Sequence, residues 1–139
     1  MGARHETIST LCREHSLLAV YLFGSRAADG LALLAGEAVP ASGSDLDVGV
    51  VFAGPPPGAR RLATLQVALE DVFAPMRLDL VPLQEVDAIF QAAAIDGHRI
   101  VAPDSTRADL WELVVMRRAA ELLPIQRQIE LETFGTSSR

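Results

Sequence analysis

The chain has 139 residues, half of them hydrophobic, a size and composition that suit one compact domain, 1–139, built around a single core. A net charge of −6, arginines dispersed in pairs at Arg60/Arg61 and Arg117/Arg118, and only 5% aromatics argue against direct nucleic-acid binding through a basic face or base stacking. No apolar run is long enough to span a bilayer, MGARHETIST has no signal-peptide core, and the lone Cys12 cannot close an internal disulfide, so no membrane role and a reduced, cytoplasmic setting are expected.

Residues 6–15 carry Ile8, Leu11 and Cys12 at helical spacing and predict a first helix. Leu17–Phe23 (LLAVYLF), closed by Gly24, has the pattern of a buried strand. A second helix is expected over 25–34 with Ser25 as its N-cap, then loop through Gly36, Pro40, Gly43 and Ser44. Leu46–Phe52 (LDVGVVF) predicts the second strand. AGPPPG at 53–58 predicts a turn, because consecutive prolines donate no ladder hydrogen bonds. Leu62, Leu65, Leu69 and Phe73 form one helical stripe within 60–73. RLDLV at 77–81 alternates like a third strand, 84–94 reads as helix, and GHRIV at 97–101 as a short edge strand. Asp104, Ser105 and Thr106 open a long C-terminal helical segment, about 104–133, which Pro124 is expected to kink or stop; 135–139 reads as a frayed tail. The fold class is α/β, a mixed sheet flanked by helices with a long helix at its end.

The second strand carries the chemistry. Strand side chains alternate, so Leu46, Val48 and Val50 can enter a core while Asp45 and Asp47 share the opposite face. Two carboxylates about 5–6 Å apart repel by on the order of 3 kcal/mol at an effective dielectric of about 20. A hard divalent cation such as Mg2+ turns that repulsion into attraction. Asp79, in RLDLV, joins them if the third strand pairs beside the second, giving the three carboxylates that a two-metal phosphoryl-transfer site requires. Taken alone, Asp-Leu-Asp fits the solvent face of an edge strand equally well. Gly24-Ser25 adds a bend whose backbone N–H groups and hydroxyl can meet a phosphate, with no Cβ at the glycine to hold it off.

FGSRA followed by SDLDVGVVF and LDLV resembles the minimal nucleotidyltransferase (MNT) family of the DNA polymerase β superfamily over roughly residues 17–103. The resemblance implies a polymerase β palm-like fold, Mg2+ (two ions) and transfer of a nucleoside monophosphate from a triphosphate, ATP, to a hydroxyl. By position, it implies that Gly24 and Ser25 hold the triphosphate and that Asp45 and Asp47 bind metal. Asp79 completes the site, and Arg26 pairs with phosphate oxygens. A solvated surface arginine is the competing reading of Arg26. With no helical substrate domain after the sheet, an acceptor pocket must come from another chain. MNT proteins of this size resemble the antitoxin half of HEPN/MNT toxin–antitoxin pairs, which implies AMP transfer to a tyrosine of a HEPN ribonuclease. A homo-oligomer stays open. The alternatives are a binding-only antitoxin with a vestigial site, or transfer to a small hydroxylated compound of the aminoglycoside kind.

One departure from the family pattern stands out. Ser25 and Asp45 are 45 − 25 = 20 positions apart, longer than the usual spacer, and the excess at 31–42 (LALLAGEAVPAS) is apolar. Insertion is thermodynamically cheap, and an exposed leucine-rich loop would be expected to pack on a partner. His5, His15 and His98 lack metal-ligand spacing, and Trp111 and Met116 fit a core or an interface better than a cofactor site.

Overall fold

The computed structural model describes residues 2–134. They form α1 (Ala3–Glu14), β1 (Leu17–Phe23), α2 (Ala27–Leu34), β2 (Leu46–Phe52), α3 (Ala59–Val72), β3 (Leu78–Pro82), a 3-10 turn at Leu83–Glu85, α4 (Ala88–Ile95), β4 (His98–Val101) and α5 (Ser105–Phe134). The expected frayed tail lies outside the described residues.

The strands form one mixed sheet in the order β3-β2-β1-β4. β1 runs antiparallel to β2 and to β4, and β2 pairs with β3 in parallel through the α3 crossover. Both faces are covered, which explains why β1 is apolar along its whole length. On one face Val20, Leu22, Leu46, Val48 and Val50 pack against Ile8 and Leu11 of α1, Leu33 of α2, and Leu65 and Leu69 of α3. On the other, Tyr21, Phe23 and Val51 meet Leu83, Ala94 and Ala108 from the turn, α4 and α5. Arg99 on β4 donates to Asp109 and Glu112, and the Tyr21 hydroxyl donates to Glu112, so α5 is tied across the sheet by polar contacts as well as packing. Among the described residues, no buried side-chain N or O lacks a partner.

Four local expectations change. First, the second helix starts at Ala27, and Ser25 does not cap it; Ser25 Oγ instead lies 3.1 Å from Ser44 Oγ, across the loop mouth. Second, the helix expected over 84–94 is a 3-10 turn and then α4. Asp87 accepts from the Phe90 N–H at 2.8 Å and resets the helix start, as a carboxylate N-cap does. Third, the apolar insert does not wait for a partner. Leu33 is buried, and Leu31, Leu34 and Val39 pack on the chain's own core; the leucines belong to the last turns of α2, and the loop that follows is exposed apart from Val39. Fourth, α5 continues through Pro124 to Phe134. A proline removes one intrahelical hydrogen bond, and the turns on either side carry the helix past it. Trp111 packs on Tyr21 with ring centroids 6.1 Å apart, whereas Met116 is exposed.

Candidate active site

The sheet topology carries the two aspartate-bearing strands into contact. Leu46 pairs with Leu78 and Asp47 with Asp79, and the Leu46 N–H donates to the Arg77 carbonyl at 2.8 Å. Pleating sends Leu46 and Leu78 into the core and puts Asp47 and Asp79 on the face shared with Gly49 and Val51. Leu83 lies against Gly49 on that face, and α4 and α5 cover more of it. The end holding Asp47 and Asp79 is left open: Asp79 is exposed and Asp47 half-buried.

β1 brings the bend to the same place. Phe23 is the cross-strand partner of Asp47, so Gly24 emerges directly beside that carboxylate. Gly24 has φ +79, and a Cβ there would overlap Asp47 Oδ2. Glycine is therefore required twice, by backbone conformation and by the carboxylate lying flat on the bend. Phe23, the cross-strand partner of Asp47, meets the 41% exposed Phe90 of α4 edge to face with centroids 5.8 Å apart.

Electrostatics mark Asp47 as the crowded member. Burial pushes its carboxyl above the usual carboxylate range, and the charges of Asp79 and then Asp45 push it further the same way. Asp45 sits at the outer end, with Oδ1 3.4 Å from Arg77 Nε. Among the described residues, no group of three or more His, Cys, Asp or Glu side chains is preassembled to enclose a cation. Repulsion and the Arg77 pairing account for the spread. The donor set nonetheless suits Mg2+: it is all oxygen and short of positive charge at Asp47. Mg2+ also characteristically takes one or two carboxylates together with waters and substrate phosphates, not a closed protein cage.

Arg26 is placed differently from Gly24, Ser25 and the aspartates. It is 6% exposed, and its guanidinium donates to Asp29, to the carbonyls of Ser42 and Ser44 at 3.2 Å each, and to the Pro40 carbonyl at 2.6 Å. It gathers the 40–44 loop beneath the helix start and so positions Ser44 beside Ser25 and Asp45 next to Asp47. Arg26→Ala is expected to lower stability by roughly 1–3 kcal/mol, read as a fall in Tm, because a buried charged donor with several acceptors is removed. Lysine cannot reproduce a planar fork, so Arg26→Lys should recover little of it. The sequence reading also passed over Arg77. The signal was present in RLDLV, where Arg77 stands two residues before Asp79 at the mouth of the strand.

A separate groove of about 1060 Å3, between the start of α1, the end of α2 and β4, contains none of these residues. Among the described residues no helix is long and apolar enough to cross a membrane.

The sequence pattern of the family described as "Polymerase beta, Nucleotidyltransferase" matches residues 6–106. No curated protein matches the chain in sequence. Among solved structures, a toxin–antitoxin with AMP-PNP is 19% identical, with 94% of this chain and 98% of that one aligned and a TM-score of 0.68. The tri-AMPylated Shewanella oneidensis HEPN toxin in complex with MNT antitoxin offers a chain 17% identical, aligned over 95% and 97%, with a TM-score of 0.66. A putative minimal nucleotidyltransferase is 29% identical over 68% of this chain and 86% of that one, with a TM-score of 0.51. At these identities the likeness to the two toxin–antitoxin structures is one of fold.

Proposed function

The chain belongs to the polymerase β nucleotidyltransferase family, and from that premise we propose that it transfers AMP from ATP to a protein hydroxyl, a tyrosine of a HEPN-type toxin, and thereby acts as its antitoxin. The observation that carries the reading is the contact between Gly24 and Asp47, with Asp79 in register beside it. A glycine bend and an acidic pair share one end of one sheet face.

Gly24 and Ser25 present a bend to which a triphosphate can come close, and the Ser25 hydroxyl is held at the mouth by Ser44. Asp45, Asp47 and Asp79 are the residues that would hold Mg2+. Bound there, the metal would neutralise the carboxylates and polarise the phosphoryl oxygens. Asp79 is exposed, which supports reading it as the carboxylate that orients the acceptor hydroxyl and takes its proton.

One feature of the chain supports a protein acceptor: α5 beyond Ala119 leaves Leu122, Leu123, Ile125, Ile129 and Leu131 exposed, an apolar surface of the kind partners cover. Similar structures include a HEPN toxin carrying AMP and a complex with AMP-PNP. The second reading is a binding-only antitoxin whose nucleotide site is vestigial.

Incubating the protein with Mg2+, α-labelled ATP and a HEPN partner separates them. Label on a partner tyrosine supports transfer. A stable complex that never acquires label supports binding alone, and label on an added aminoglycoside in place of the partner would move the acceptor to small molecules.

A further inference from the structure

We propose that Arg77 is the phosphate-binding cation of this niche, in the place that family resemblance gives to Arg26. The inference rests on the nucleotidyl-transfer reading and deepens it.

The register makes the case first. With Leu46 opposite Leu78, the residues one step outward are Asp45 and Arg77 and those one step inward are Asp47 and Asp79. Asp47 and Asp79 share one face of the paired strands, and just beyond the strand ends the Arg77 guanidinium meets Asp45, whose charge is felt at Asp47. The carbonyl of Arg77 is fixed by the Leu46 N–H, so the side chain leaves from a defined point at the rim.

Charge makes it second. A nucleoside triphosphate brings several negative charges to a niche that already holds three carboxylates, and positive groups must offset them. Arg26 is buried on loop carbonyls and Asp29, and Arg99 is held by Asp109 and Glu112 under α5. Arg77 is the arginine left facing the carboxylates. Its ion pair with Asp45, the one it makes among the described residues, is 3.4 Å long, beyond good hydrogen-bond range, and its side chain is 79% exposed. Such a pair constrains little. The guanidinium therefore has two alternative anionic partners: Asp45 in the nucleotide-free protein, and the outer phosphates of a bound triphosphate. Its planar fork suits the second.

The test is equilibrium binding of AMP-PNP and of AMP, each with Mg2+, to wild type, Arg77→Ala and Arg77→Lys, with melting curves to verify folding. The exposed side chain predicts an unchanged Tm. Arg77→Ala is expected to weaken AMP-PNP binding by about 10–100-fold, as for loss of a charge-assisted contact, to leave AMP binding nearly unaltered, and Arg77→Lys to fall between. Unchanged AMP-PNP affinity in Arg77→Ala, or equal losses for AMP and AMP-PNP, overturns the assignment while leaving the niche intact as a nucleotide site. Failure of wild type to bind AMP-PNP at all would remove the nucleotidyl-transfer reading and this assignment with it.

Discussion

Asp47→Asn is expected to lower nucleotidyl transfer by about 10²–10³-fold or more, while raising the Tm of the metal-free protein by a few degrees at neutral pH. The two effects have one cause. Asp47 is half-buried beside Asp79 and Asp45, and both burial and like charge disfavour its ionised form. An amide of the same shape relieves that repulsion but cannot serve as an anionic ligand. The sign with pH follows. Because the folded chain holds the Asp47 proton to higher pH than the unfolded chain does, the stabilising contribution is full below the ordinary carboxylate value. It is lost as pH rises through the raised one. Melting curves between about pH 4 and 7 should therefore show the variant's advantage growing with pH, and added Mg2+ should narrow it by stabilising wild type selectively. A variant that is inactive and also less stable at every pH would mean that Asp47 serves the fold and not the site.

The second large effect belongs to Gly24→Ala. Two penalties coincide there, a positive φ that an L side chain adopts reluctantly and a Cβ that overlaps Asp47 Oδ2. Gly36 separates them, since it has φ +88 with nothing within 4 Å of an added Cβ. Gly36→Ala should cost about 1 kcal/mol in stability and leave transfer near wild type. Gly24→Ala should lose roughly 1–3 kcal/mol and, in the folded fraction, most of its transfer activity, because the carboxylate is pushed off the bend. Tm and specific activity measured on both variants check this. Comparable activity in the two would show that the contact between Gly24 and Asp47 has no catalytic consequence.

Much of this arrangement was legible in the chain because it depends on short-range patterns. LLAVYLF and LDVGVVF are short apolar runs that read as buried strands, and both are strands with nearly every residue buried. Pairing of Asp47 with Asp79 followed once the third strand was placed beside the second, and the register bears it out. What could not be read depended on partners far along the chain. Whether Arg26 meets phosphate or loop carbonyls is decided by where residues 40–44 return, and no local pattern records that return. The leucines of the insert at 31–42 looked like an exposed greasy loop because their burial depends on α2 packing over the sheet. Asp87 was a readable cap that the apolar run after Gln84 obscured. Arg77 was visible as a residue and invisible as a neighbour until the register set it opposite Asp45.

The most direct measurement is a crystal structure of the chain with Mg2+ and AMP-PNP. The account predicts triphosphate density against Gly24 and Ser25, metal density bridging it to Asp45, Asp47 and Asp79, and Arg77 swung from Asp45 toward the outer phosphates. Nucleotide lodged in the groove between α1, α2 and β4, with the aspartates free of metal, would contradict it.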